Sequence, residues 1–83
     1  MVIKPIDIQL REERIKDYQE IIHDHLKSIA LMNQVRELFP DDWEIDEYAR
    51  LNIFLMKQNI EDLMEQIQND QKAISEYRKR KAA

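Results

Sequence analysis

The chain contains no glycine among its 83 residues, and its two prolines stand at positions 5 and 40. Because glycine is the residue that most readily adopts a positive φ, its absence excludes phosphate-binding loops, dinucleotide-binding turns and most sheet-rich folds. Both prolines lie outside the long runs in which apolar residues recur at regular intervals. This composition predicts an all-α protein built from long helices, interrupted near Pro40.

Two heptad repeats of isoleucine occupy most of the sequence. Isoleucine recurs at every seventh position from Ile8 to Ile29, and again from Ile53 to Ile74. Spacings of three and four residues, sustained this long, predict two helices that each turn a narrow apolar stripe, here called the seam, toward a partner helix. The other seam positions hold Arg11, Tyr18, His25, Met32 and Phe39 in the first repeat and Ala49, Met56, Leu63, Asp70 and Tyr77 in the second.

The segment between the repeats predicts a turn. Pro40 disfavours a helical conformation at Phe39 and cannot itself continue the first helix. Asp41 and Glu44 have the spacing of a capping box, which predicts that the second helix opens at Asp41.

We predict one domain over residues 1–83, with a first helix at about 7–38, a turn at about 39–42, a second helix at about 42–80 and a basic tail at 78–83. So short a connection makes the helices antiparallel neighbours, so the predicted fold is an antiparallel two-helix coiled-coil hairpin. A parallel two-stranded dimer is the alternative, but leucine is scarce at the seam positions where such dimers favour it.

Polar residues interrupt the predicted seam. In the antiparallel pairing Arg11 lies opposite Ile74, and Asp70 is the next seam residue before Ile74 on the second helix. They would either form a partly buried ion pair that fixes the register or turn outward near the open end of the hairpin. His25 is expected in the core, hydrogen-bonded to a neighbour, and His23 outside it.

The part of the chain nearest the turn carries more apolar residues than one seam needs. A helix that is apolar on all sides is normally buried on all sides, and these residues would otherwise form an unusually large exposed patch. We therefore predict a homodimer or higher oligomer, a helical bundle formed by the turn-proximal halves, with docking of another protein as a second use of the patch. The predicted interface, here called the turn surface, comprises Leu31, Val35, Leu38, Phe39, Trp43, Tyr48, Leu51, Phe54 and Leu55.

The sequence offers no constellation of catalytic residues. The chain has no cysteine, which removes thiolate nucleophiles, thiolate metal ligands and disulfides. His23 and His25 are two residues apart, so on a helix they point in different directions and do not share a metal ion. Carboxylates such as Glu61 and Glu65 fall on the predicted solvent side. We predict a non-enzymatic protein with no catalytic residues, no metal and no cofactor.

The net charge limits the kinds of partner that the protein is expected to bind. With 13 Lys and Arg against 17 Asp and Glu, the formal net charge is −4, which argues against a surface that binds nucleic acid or anionic membrane as a whole. The basic tail, Arg78, Lys79, Arg80 and Lys81, would either bind phosphates or complement the negative end of the helix dipole. No segment has the length and apolarity of a membrane span or a signal peptide, which predicts a cytoplasmic protein without membrane contact.

The sequence thus predicts a small helical interaction protein, a regulator, inhibitor or assembly adaptor that binds itself and another protein. A nucleic-acid-associated protein that uses the basic tail is one alternative. The other is sequestration of a small ligand or nucleotide at a seam between protomers, where stacking and hydrogen bonds would come from Tyr18, His25, Arg36, Trp43 and Tyr48.

Overall fold

The computed structural model describes residues 5–82 and contains two helices, α1 (Pro5–Leu38, 34 residues) and α2 (Trp43–Ala82, 40 residues). Within these residues there is no strand. Residues 39–42 connect the helices, which pack against each other along a body measuring 62 × 16 × 16 Å. The predicted all-α fold is confirmed in the form of a two-helix hairpin. Residues 1–4 and 83, which the predicted domain and its basic tail include, lie outside the described residues.

The first helix begins at Pro5, two residues earlier than expected. Proline is tolerated in the first turn because the amide it lacks has no partner inside the helix there, and its fixed φ suits a helix. At the other end, the Phe39 amide still donates to the Val35 carbonyl at 3.1 Å, and α1 ends before Pro40.

The second helix is capped by Asp42 and not, as the sequence predicted, by Asp41. Oδ1 of Asp42 accepts hydrogen bonds from the backbone amides of Glu44 and Ile45, both at 3.1 Å. A capping side chain must directly precede the first helical residue to reach the second and third amides, and α2 starts at Trp43. The expectation of a cap at Asp41 was therefore wrong by one residue.

The core is a thin line between the two helices. Among residues 5–82, its buried apolar members are Ile8, Ala49, Ile53, Ile67 and Ile74. Ile22 and Ile60, expected in the core, are half-buried. The reason is geometric, because each helix of an isolated pair is covered by only one neighbour. Phe39, the last seam position of the first repeat, lies in the turn and is exposed.

Candidate functional site

The turn surface is exposed in the hairpin. Eight of its nine residues keep between 52% and 73% of their surface accessible, and only Val35 is half-buried. The buried residues of the two helices are seam positions, and the turn-surface side chains other than Val35 remain largely exposed. The structure thus leaves uncovered the residues that the sequence predicted to be in excess.

An apolar groove runs between the helices close to the turn. It has a volume of about 340 Å³, and its apolar lining comes from Leu31, Met32 and Val35 of α1 and Ile45, Tyr48 and Ala49 of α2. Within the described part of the chain, Glu44 adds the one charged side chain to that lining. Three residues of the turn surface, Leu31, Val35 and Tyr48, therefore belong to one groove. The other six do not line it: Leu38, Phe39, Trp43, Leu51, Phe54 and Leu55.

The helices beside the groove are held together by an ion-pair cluster around Asp46. Oδ1 of Asp46 accepts a hydrogen bond from Nε of Arg36 at 2.8 Å, and Oδ2 lies 2.8 Å from Nε of Arg50. Arg36 also donates to Oδ1 of Asn33 at 3.3 Å. Because Arg36 and Asp46 lie on different helices, the cluster fixes the spacing of the two groove walls.

A second cluster, around Asp70, lies toward the open end. The Asp70 side chain is only 1% exposed, and Oδ1 accepts a hydrogen bond from Nη1 of Arg11 at 2.7 Å. Arg14 donates from Nε to Oδ2 at 2.8 Å and from Nη2 to Oδ1. Of the two arrangements left open for Arg11 and Asp70, the structure contains the ion pair. Arg14 is a further partner that sequence reasoning missed. The spacing in the sequence could have indicated this partner. Arg14 lies three residues after Arg11, so both guanidinium groups project from one face of α1.

The charges of this cluster stabilise each other's ionised forms. Hydrogen bonding from Arg14 is the main cause that lowers the pKa of Asp70, and the charge of Arg14 and the bond from Arg11 act in the same direction against burial. The same hydrogen bonding to Asp70 raises the pKa of Arg14. Asp70 is therefore held as a carboxylate inside the hairpin by two cations.

His23 lies outside the core as expected, whereas His25, expected in the core, is half-buried but has the expected hydrogen-bond partner. His25 is half-buried, and its Nε2 accepts a hydrogen bond from Nδ2 of Asn59 at 2.7 Å, whereas His23 is exposed. An amide nitrogen can only donate, so Nε2 of His25 carries no proton in this arrangement. The side chain links the two helices midway along the hairpin.

The residues proposed for ligand sequestration are not brought together within one hairpin. Tyr18 and His25 lie half-buried along the seam, and Trp43 and Tyr48 are exposed near the turn. Tyr18 and Arg36 alone are roughly 27 Å apart along α1 at the usual helical rise. Among residues 5–82, no group of three or more His, Asp or Glu side chains is placed to hold a metal ion.

The four cationic residues of the basic tail, Arg78 to Lys81, lie in the last turns of α2 and are exposed. Nη2 of Arg78 lies 3.3 Å from Oε1 of Glu12, which ties that guanidinium to α1. An open groove of about 530 Å³ passes between Glu12, Ile74 and the side chains of Arg78 and Lys79. A phosphate entering this groove would meet a carboxylate as well as two cations.

Comparison of the chain with protein-family models, with curated proteins and with solved structures found no match. Neither described helix is apolar enough over a sufficient length to cross a membrane.

Proposed function

We propose that the protein is a non-enzymatic helical interaction protein, a regulator, inhibitor or assembly adaptor that binds other protein chains, copies of itself included, through the turn surface. The exposure of that surface carries the proposal. Large apolar side chains concentrated at one end of a hairpin lose contact with water when another chain covers them, and such patches are typical of protein–protein contact sites. The cytoplasmic location expected from the sequence belongs to the same proposal.

The surface area of the hairpin supports this proposal. The chain exposes 6869 Å², whereas a compact monomer of its 10.1 kDa exposes roughly 5,300 Å² by the usual scaling with mass. The excess of roughly 1,600 Å² per chain is about twice the area, about 800 Å², that each partner buries in a standard protein–protein interface. A hairpin whose core is one line of residues gains stability by covering that excess.

Sedimentation equilibrium tests self-association. We expect a species of at least twice the 10.1 kDa chain mass at micromolar concentration. The thermal midpoint should also rise with protein concentration, because association stabilises the folded state by mass action. A chain that is monomeric, with a midpoint independent of concentration, would refute self-association and leave only a different protein as the occupant of the turn surface.

A further inference from the structure

We propose that the occupant of the groove is a second copy of this chain, packed antiparallel over the turn-proximal halves, so that the turn of each copy lies beside the middle of the other. This inference rests on the proposed function and specifies its geometry. It divides the turn surface into residues that the dimer buries and residues that it leaves exposed.

Exposed apolar residues on the groove side of each helix repeat with the period of a second seam. Leu31 and Leu38 on α1 are seven residues apart, and so are Tyr48 and Leu55 on α2. Residues seven apart lie on the same side of a helix, so each helix carries a further apolar stripe beside the one it turns toward its hairpin partner. Helices with two such stripes are typical of bundles in which each helix has more than one neighbour.

Charged neighbours distinguish the groove side of α2 from the opposite side of the same helix. The neighbours of Leu55 at three and four residues in either direction are uncharged. Phe54 has Arg50 four residues before it and Lys57 three residues after it, and both lie on its face of the helix. Burying Phe54 would draw these two charges out of water at a high cost, whereas burying Leu55 would not. On α2 the groove side is therefore the better interface.

On α1 the charged neighbours do not favour the groove side. Lys27 lies four residues before Leu31, whereas the residues three and four positions from Leu26 include no Lys, Arg, Asp or Glu. The preference for the groove side of α1 rests instead on the apolar groove itself, which Leu31, Met32 and Val35 line.

The area needed for a stable dimer is available on that side. Leu31, Leu38, Tyr48 and Leu55 are all more than half exposed in the hairpin. A standard interface buries about 800 Å² of each partner, which is about half of the excess surface of one copy. The groove of about 340 Å³ takes side chains from the second copy, as interfaces packed like protein interiors require.

Charge decides the orientation of the two copies. The turn-end segment, residues 36–46, contains one arginine and five carboxylates, so its net charge is −4. A parallel dimer would place two such ends together. At the usual helical rise, the centre of the four exposed residues lies about 13 Å from the turn, so an antiparallel partner's turn falls about 26 Å along the hairpin. The segments at that level, residues 21–27 and 54–60, contain Asp24, Lys27 and Lys57 and have a net charge of +1. The antiparallel arrangement therefore avoids the repulsion.

Two matched double variants test the interface. Leu31→Glu with Leu55→Glu changes the groove side, and Leu26→Glu with Phe54→Glu changes the opposite side, one residue on each helix in both cases. The four side chains have similar exposure in the hairpin, at 61%, 52%, 54% and 57%. We expect the groove pair to raise the dimer dissociation constant by on the order of 100-fold or more and the opposite pair to leave it within about threefold.

Sedimentation equilibrium separates the two proposals. A wild-type dimer that withstands the groove pair, or that is dissociated by the opposite pair, would overturn the groove dimer but leave self-association in place. A monomeric wild type would overturn both. If the groove variant loses its helical circular dichroism, the second measurement below decides, because it uses no interface variant.

Spin labels report the orientation of the copies. The chain has no cysteine, so Glu65→Cys gives a single attachment site at an exposed position of α2. The antiparallel dimer places two labels at this site about 50 Å apart by the helical rise, measured by double electron–electron resonance. A parallel dimer would bring them within about 30 Å, roughly twice the width of a hairpin, and a distance in that range would overturn the antiparallel arrangement.

Discussion

Replacing Asp70 by asparagine removes the charge at the centre of the cluster formed with Arg11 and Arg14. The substitution keeps the size of the side chain but places an amide NH₂ against guanidinium donors. Each of the three hydrogen bonds to the carboxylate is worth about 1.5–3 kcal/mol when the acceptor is charged. Since the arginine side chains keep 33% and 45% of their surface exposed, water screens part of that contribution. We expect the free energy of unfolding to fall by about 2–4 kcal/mol.

The loss of stability in Asp70→Asn should depend on pH, in a direction that follows from the lowered pKa of Asp70. Because the folded protein lowers the pKa of Asp70, the carboxylate stabilises the fold fully above the unfolded value of about 3.9. That stabilisation disappears as the pH falls through the lower, folded value. The difference between wild type and Asp70→Asn should therefore be full at neutral pH and should shrink below about pH 4.

Urea unfolding followed by circular dichroism measures both quantities, at one protein concentration because association contributes to stability. Asp62→Asn is the matched control, since it removes the same charge from an exposed position of α2. We expect it to change the free energy of unfolding by less than about 0.5 kcal/mol. If Asp70→Asn and Asp62→Asn have equal stability at neutral pH, the argument for a stabilising buried cluster is refuted.

Two further predictions concern the turn and the pairing of the helices. Asp42→Ala should lower the free energy of unfolding by about 1 kcal/mol through loss of the cap of α2, whereas Asp41→Ala should have almost no effect in the same urea titration. A larger loss of stability in Asp41→Ala than in Asp42→Ala would show that Asp41 is the cap. In the variant Ile29→Cys with Met56→Cys, oxidation should cross-link the two cysteines within one chain, which gel mobility under non-reducing conditions reports. Cross-links formed only between chains would favour the parallel two-stranded coiled coil over the hairpin.

The interior of the hairpin shows how far sequence reasoning reaches. The heptad repeat placed Arg11 and Asp70 close enough to pair, because the period of a helix fixes which residues share a face. It did not assign the second partner. Arg14 lies 56 residues from Asp70 in the chain and just beside the predicted seam, and long arginine side chains reach inward from such positions. Whether they do so depends on how the two helices are aligned along their length.

The sequence by itself determined the architecture of this protein. Without glycine and with Pro40 between two isoleucine repeats, the chain has two long helices and one place to turn, since these are local preferences of the backbone and the periodicity of side chains. The sequence also showed that the turn-proximal residues exceed what one seam can bury.

The tertiary structure alone decided how those residues are divided. Leu31 and Tyr48 meet at one groove while Phe54 stays outside it, and Asp42 rather than Asp41 reaches the first amides of α2. The groove depends on the rotation and axial shift of one helix against the other, and the position of the cap depends on the path of residues 39–42. A repeat in the sequence gives each helix its own faces, but the groove exists only where two faces from distant parts of the chain come together.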